Sequence, residues 1–344
     1  MTPMIGAASL RRSAVALASL GALGLSASPV LAHGPVPAEA PTVASLLLGW
    51  IFEPLPTLAI GAATWWWLWA VRRVNVLHPA NPVPRQRTAE FLAAMAALAF
   101  ALLSGIGRYD TSLFSVHMVQ HVLLTLVAAP LLALSAPITL MLRLASPSTR
   151  QRWLLPVLHS GALRVLSFPV TAWILFAGVM WASHFSALFN AALEDPLIHD
   201  LEHGLFLSSA LLFWWPAVAL DPAPWRLAHP ARIGYVALQM TQNTFLAFVL
   251  LNVPSVLYLH YATLVRPWGP SPLDDQQLAA AVMWVTGDLI FIGSLMALGG
   301  GWMRAEGRSL RRADREAEID LAQIRVREQR LAERLASERG DGRG

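Results

Sequence analysis

Two pairs of histidines are the residues in this sequence best spaced to do chemistry: His117 and His121 in "HMVQH", and His199 and His203 in "HDLEH". Each pair has i,i+4 spacing. On a helix this sets both imidazoles on one face, one turn apart, which suits shared ligation of one metal ion. Asp200 and Glu202 lie inside the second pair. A carboxylate accepting from imidazole N–H is the usual outer partner of a metal-bound histidine. The same five residues read as H-x-x-E-H, a protease signature in which two histidines hold zinc and the glutamate is the general base. Met118 adds a thioether next to His117, a soft donor that suits Cu(I). His184 is a further histidine near the end of an apolar run, and Asp288 stands alone in "WVTGDLIF". An ionisable residue in such a setting needs a partner in the protein interior.

The elements that must position these residues are membrane helices. The chain of 344 residues is 56% hydrophobic and only 13% charged. A soluble domain of this size carries about 25% charged residues. Its apolar runs do not alternate as barrel strands do. The expected fold is all-α and polytopic, with seven transmembrane helices over 45–71, 88–106, 113–142, 166–186, 197–219, 232–252 and 277–302. Pro130 and Pro137 fall inside the third and predict a kink or an early end.

All 25 basic residues are arginine, and they segregate. Arg72, Arg73, Arg85 and Arg87 lie between the first two helices; Arg143, Arg150, Arg152 and Arg164 lie between the third and fourth. Arg226 and Arg232 precede the sixth helix, and eleven more follow the seventh. Alternating helices place all of these on one side and leave Arg108 and Arg266 on the other. The N-terminus is then outside and the C-terminus in the cytoplasm. The same count predicts contact with the lipid bilayer and needs no nucleic acid.

Residues 1–32 read as a signal peptide, or as an uncleaved anchor: Arg11 and Arg12 precede an apolar stretch, and Val30 and Ala32 fit a cleavage site. A short extracytoplasmic segment, 33–44, leads into the membrane domain, 45–302. The remainder, 303–344, is a charged cytoplasmic tail with Leu310, Ala317, Ile324 and Leu331 at seven-residue spacing, an amphipathic pattern or a frayed tail.

On this topology both histidine pairs lie one or two turns inside the outer ends of the third and fifth helices, at similar depth. His78, His159 and His229 fall in or beside cytoplasmic loops, while His33 and His260 lie outside. Several chemistries compete for the four matched histidines. Copper uses the whole cluster, and an outward site suits a metal handled outside the cytoplasm. Haem would take one histidine from each helix and leave two over. Zinc in a protease needs an open position that a second histidine pair would over-fill. A metal-free scaffold is the remaining class. With no cysteine in the chain, thiolate zinc sites, iron–sulfur clusters and thiol-based copper carriage are excluded.

The stretches "GWIFEPLPTLAI", "FSVHMVQHVLLTLVAAPLLALSAPI", "IHDLEHGLFLSSALLFWWPA" and "DQQLAAAVMWVTGDLIF" resemble the CtaG family, polytopic assembly factors of caa-type cytochrome c oxidase. The resemblance spans roughly residues 45–302 and leaves out the signal segment and the tail. It implies a non-enzymatic protein of the bacterial plasma membrane that works with cytochrome c oxidase subunits, at their copper centres. The family's histidine motifs fall on His117, His121, His199 and His203, with Glu202 and Asp288 as companions.

Overall fold

The computed structural model describes residues 36–341, so the signal segment expected over 1–32, and His33, lie outside the described residues. Every regular element among the described residues is helical. Seven long helical stretches follow one another: α1 (Pro54–Leu77), α2 (Arg85–Leu103), α3 (Phe114–Leu144), α4 (Pro169–Phe185), α5 (Pro196–Val218), α6 (His229–Asn252) and α7 (Pro272–Asp341). Four helical stretches are long and apolar enough to cross a membrane: Arg85–Tyr109, Phe114–Leu144, His229–Asn252 and Pro272–Leu331. The pair Pro169–Phe185 and Ala187–Glu194, bent by 73° at Ser186, makes a fifth if it is one span. The long helices α1 and α5 are not among them. They carry the Arg72–Arg73 pair and the His199–His203 motif respectively, polar groups that hydrocarbon does not favour.

Several boundaries differ from the expected ones for local reasons. The first helix does not run through 45–71. A short helix, Val43–Leu48, ends at Gly49, and Glu53 is extended before Pro54 starts α1. Proline has no N–H and pushes the preceding residue out of the helical region, so it begins a helix well and continues one badly. The Ser45 backbone passes so close to Gly105 that a Cβ there would run into the Ser45 carbonyl. At the other end α7 does not stop near 302 but stays helical to Asp341.

Helix α3 contains the expected break. Its first part, Phe114–Val122, passes into a π-helical turn, Leu123–Ala128, just before Pro130. The widened turn gives the proline ring room against the preceding carbonyls. The second break is at Ala136, which takes a left-handed conformation with φ 56° before Pro137 restarts the helix.

Both fragments of α3 have their N-termini held by distant aspartates. Asp275 of α7 accepts from Phe114 N at 2.7 Å and from Ser115 Oγ at 2.5 Å. Asp221 accepts from Ile138 N at 3.0 Å and from Thr139 N at 2.7 Å. A carboxylate at a helix start satisfies otherwise orphaned N–H groups and complements the helix dipole. Helix α3 is thereby fixed along its axis and at its break.

Two apolar clusters surround it. One joins α3 to α4, α5, α6 and α7 through Phe114, Phe176, Phe206, Phe213, Leu246 and Phe291. The other joins α1, α2 and α3 around Trp67, which stacks on Phe91 with ring centroids 4.1 Å apart. Helix α3 is the shared wall of both, so the polar residues of its first half, Ser115, His117, Gln120, His121 and Thr125, are buried.

Candidate metal centre

Helix α5 sets its side of the site by simple periodicity. Its buried positions include His199, Glu202, His203, Phe206, Ser209, Ala210 and Phe213. This is one inward stripe at three- and four-residue steps. Glu202 therefore shares the face of the two histidines instead of pointing away. Asp195 starts the helix, accepting from Leu197 N at 2.8 Å and Ile198 N at 3.2 Å. On α3, His117 is one turn after the Asp275 clamp, and His117, Gln120 and His121 are all buried.

The two pairs meet. The Nε2 atoms of His117 and His121 are 2.9 Å apart. A Glu202 carboxylate oxygen is 4.0 Å from His117 Nε2. One ligand atom from each of His117, His121 and Glu202 falls within 4.8 Å of the others. Bonds of about 2.0–2.1 Å in a tetrahedral site place ligand atoms about 3.3 Å apart. The observed separations bracket that value, so small side-chain shifts would bring the three atoms onto one ion. The second pair is next to them: ring centroids are 5.4 Å apart for His117 and His199 and 5.9 Å for His121 and His203. Phe189 and Phe206 pack on the rings, 4.9 Å from His117 and 4.2 Å from His121.

The polar accounting singles out Glu202. It is 2% exposed, and among the described residues neither of its carboxylate oxygens accepts a hydrogen bond. His117 Nδ1 and His121 Nδ1 are also buried without a partner there. A buried carboxylate is costly unless hydrogen-bonded or paired with a cation. A donor set of two imidazoles and one carboxylate fits a first-row transition ion.

Around this group stands an outer layer. His203 Nε2 lies 3.0 Å from Gln120 Oε1, and the Gln120 amide donates to Ala101 O at 3.0 Å. The second bond sets the amide's orientation, so the histidine is the donor in the first. His199 Nε2 is 3.9 Å from an Asp110 oxygen. Asp110 lies just beyond the end of Arg85–Tyr109, a stretch long and apolar enough to cross a membrane, and burial pushes its carboxyl up to about 7 against the lowering pull of Gln120 and the Thr111 backbone. His184 donates from Nδ1 to Met180 O at 2.7 Å, which leaves Nε2 as its lone-pair nitrogen. Its ring is 6.0 Å from Phe189, the same ring that packs on His117.

The companions expected from the sequence thus separate. Glu202 is in the group and His184 is one ring further out. Asp200 is exposed, at the edge of a cavity beside the site. Met118 is 2% exposed within the apolar cluster of Phe114, Met180 and Phe206. Asp288 is elsewhere: it accepts from Thr244 Oγ1 of α6 at 2.9 Å and lines a separate groove with Met240, Phe245 and Trp284. Sequence reasoning missed Asp110 and Gln120. Gln120 had a signal, a polar residue three positions after His117 on the same face. Asp110 had none, because only the fold brings it to His199.

The family model for the cytochrome c oxidase caa3 assembly factor (Caa3_CtaG) matches residues 65–305. Uncharacterized proteins of Mycobacterium bovis and Mycobacterium tuberculosis are each 33% identical over 296 residues, covering 83% of this chain and 44% of theirs. A third, from Mycobacterium leprae, is 33% identical over 257 residues, covering 72% of this chain and 39% of its own. The chain spans less than half the length of these curated relatives. No solved structure matches it at a significant level.

Proposed function

Because this chain belongs to the family of cytochrome c oxidase caa3 assembly factors, we propose that it serves oxidase assembly by holding a copper ion as cargo for an oxidase subunit. His117, His121 and Glu202 are the holding group, with His199 and His203 beside them. The observation that carries this reading is the buried Glu202 carboxylate, its oxygens without hydrogen-bond donors among the described residues, facing two histidines whose Nε2 atoms are 2.9 Å apart. Imidazole and carboxylate donors without thiolate bind copper and also let it go. No reaction of the protein's own is needed.

The setting proposed for this is the bacterial plasma membrane, crossed seven times with the N-terminus outside. The arginine segregation supports it: one missed helix would mix the Arg-rich and Arg-poor segments. The histidine pairs then lie in the outer half, which suits a metal handled outside the cytoplasm.

A single ion is favoured over haem because His117, His121 and Glu202 bring one ligand atom each within 4.8 Å of the others, whereas haem would take one histidine from each helix and leave two over. Axial haem ligands must face across a porphyrin plane. Zinc protease chemistry is disfavoured because it needs an open position on the metal, which a second histidine pair beside the first would over-fill.

The test is copper content together with an absorption spectrum of the purified protein. Wild type is expected to retain copper and to show no Soret band. A variant with His117, His121, His199 and His203 changed to Ala is expected to retain none. Equal copper in the two proteins would refute the reading. A Soret band would favour haem, and oxidase activity preserved in cells with the quadruple variant would favour a metal-free scaffold.

A further inference from the structure

A cavity of about 420 Å3 opens beside the histidines, at the end of the bundle where α3 and α5 begin. His199 and His203 line it; His117, His121 and Glu202 do not. Its charged lining is Glu53, Asp110 and Asp200 against Arg108 alone. Glu53 and Asp200 are exposed at its edge. Asp110 is deeper, 3% exposed, with an oxygen 3.9 Å from His199 Nε2. The His199 ring is in turn 5.4 Å from the His117 ring.

We propose that this cavity is the ion's way in, and that His199 with Asp110 forms an outer cation station distinct from the enclosed His117, His121 and Glu202 group. The inference rests on the copper reading above and assigns a division of labour within it. The ligand is a cation with affinity for imidazole.

The inner group is sealed by Phe189, Phe206 and its own helices, so an ion reaches it only through a neighbour that touches both water and the inner rings. His199 meets both conditions. The exposed carboxylates at the edge concentrate cations near the opening, as a cleft lined by one sign of charge does. Asp110 then sets a carboxyl oxygen beside the first imidazole encountered, 3.9 Å from His199 Nε2. Gln120 ties the two layers together: it bonds His203 of the cavity wall from its place between His117 and His121. No electron transfer is required; the ion exchanges one set of imidazole and carboxylate donors for another, and a proton held on the Asp110 carboxyl leaves to water as the cation binds.

The experiment follows uptake of Cu(I), presented anaerobically as its bicinchoninate complex, by the full chain in detergent. Both the rate and the final amount are read from loss of the complex's colour. Asp110→Asn is expected to reach the wild-type amount about tenfold more slowly, the loss of rate that removing a steering charge produces. A second variant guards against a misfolded first one. The chain has no cysteine, so Thr111→Cys places a single thiol on the cavity wall. Capping that thiol with a bulky maleimide is expected to slow uptake relative to the same variant capped with the small reagent iodoacetamide, which removes the thiol as a copper ligand in both samples, and to leave previously bound copper in place. Uptake at the same rate with either cap overturns the route. An Asp110→Asn variant that loses the final amount overturns the separation into two stations. If wild type takes up no copper at all, the copper reading itself fails, and this inference with it.

Discussion

His203 Nε2 and Gln120 Oε1, 83 positions apart in the chain, lie 3.0 Å from each other in the bundle. This bond joins the two histidine motifs directly. It also fixes which nitrogen of His203 carries the proton, because Gln120 is itself committed to Ala101 O through its amide. The orientation of one imidazole on α5 is therefore set by a side chain that lies between the two histidines of α3.

Gln120→Leu keeps the volume and removes both bonds. It leaves the His203 donor buried without its acceptor, which costs about 1–3 kcal/mol. Copper affinity is expected to fall by about 10–100-fold, the usual effect of losing an orienting partner. Thermal unfolding and competition with a chelator of known affinity measure the two effects separately.

Glu202→Gln separates charge from shape. The copper-free protein is expected to be about as stable as wild type, since an amide of the same shape replaces a buried carboxyl that no donor holds in its charged form. Copper affinity is expected to drop beyond the about 10–100-fold that outer partners cost. A variant that is less stable without copper and unchanged in affinity would assign Glu202 a structural role only.

The two capping aspartates should behave differently. Asp275→Ala is expected to cost about 2 kcal/mol through loss of the cap, and to weaken copper binding because His117 is one turn away. It also removes the carboxylate 4.0 Å from the buried Arg266 guanidinium. Asp221→Ala is expected to cost about 1 kcal/mol and to leave copper binding unchanged, since it caps the far fragment of α3. Parallel unfolding curves and copper titrations of both variants test the contrast.

Asp288→Asn is expected to retain copper as wild type does. Its carboxylate is spent on Thr244 in a groove between α6 and α7, away from the histidine pairs. Loss of copper in this variant would mean that the groove and the site communicate.

Much of the site was legible because helix periodicity is local. The i,i+4 spacings put each histidine pair on one face, and Glu202 follows at i+3 from His199 without any knowledge of the fold. The breaks in α3 were legible from Pro130 and Pro137 for the same reason. The interruption before α1 was equally local, in Pro54 and Pro56, but the apolar run across it hid the signal.

Asp288 shows the limit. Its place in the chain set its depth along α7, and its placement with Thr244 came from how α6 and α7 pack. Met118 shows it too: one residue from His117, it is turned about a hundred degrees around the helix and lies in the apolar core. By itself, the sequence determined the helical class, the two histidine faces and the carboxylate between them, because each depends on residues a few positions apart. Only the tertiary structure decided that the two faces meet, that Asp110 stands beside His199, and that Asp275 anchors the helix carrying His117. Those contacts depend on the rotation and offset of packed helices, which long-range packing sets.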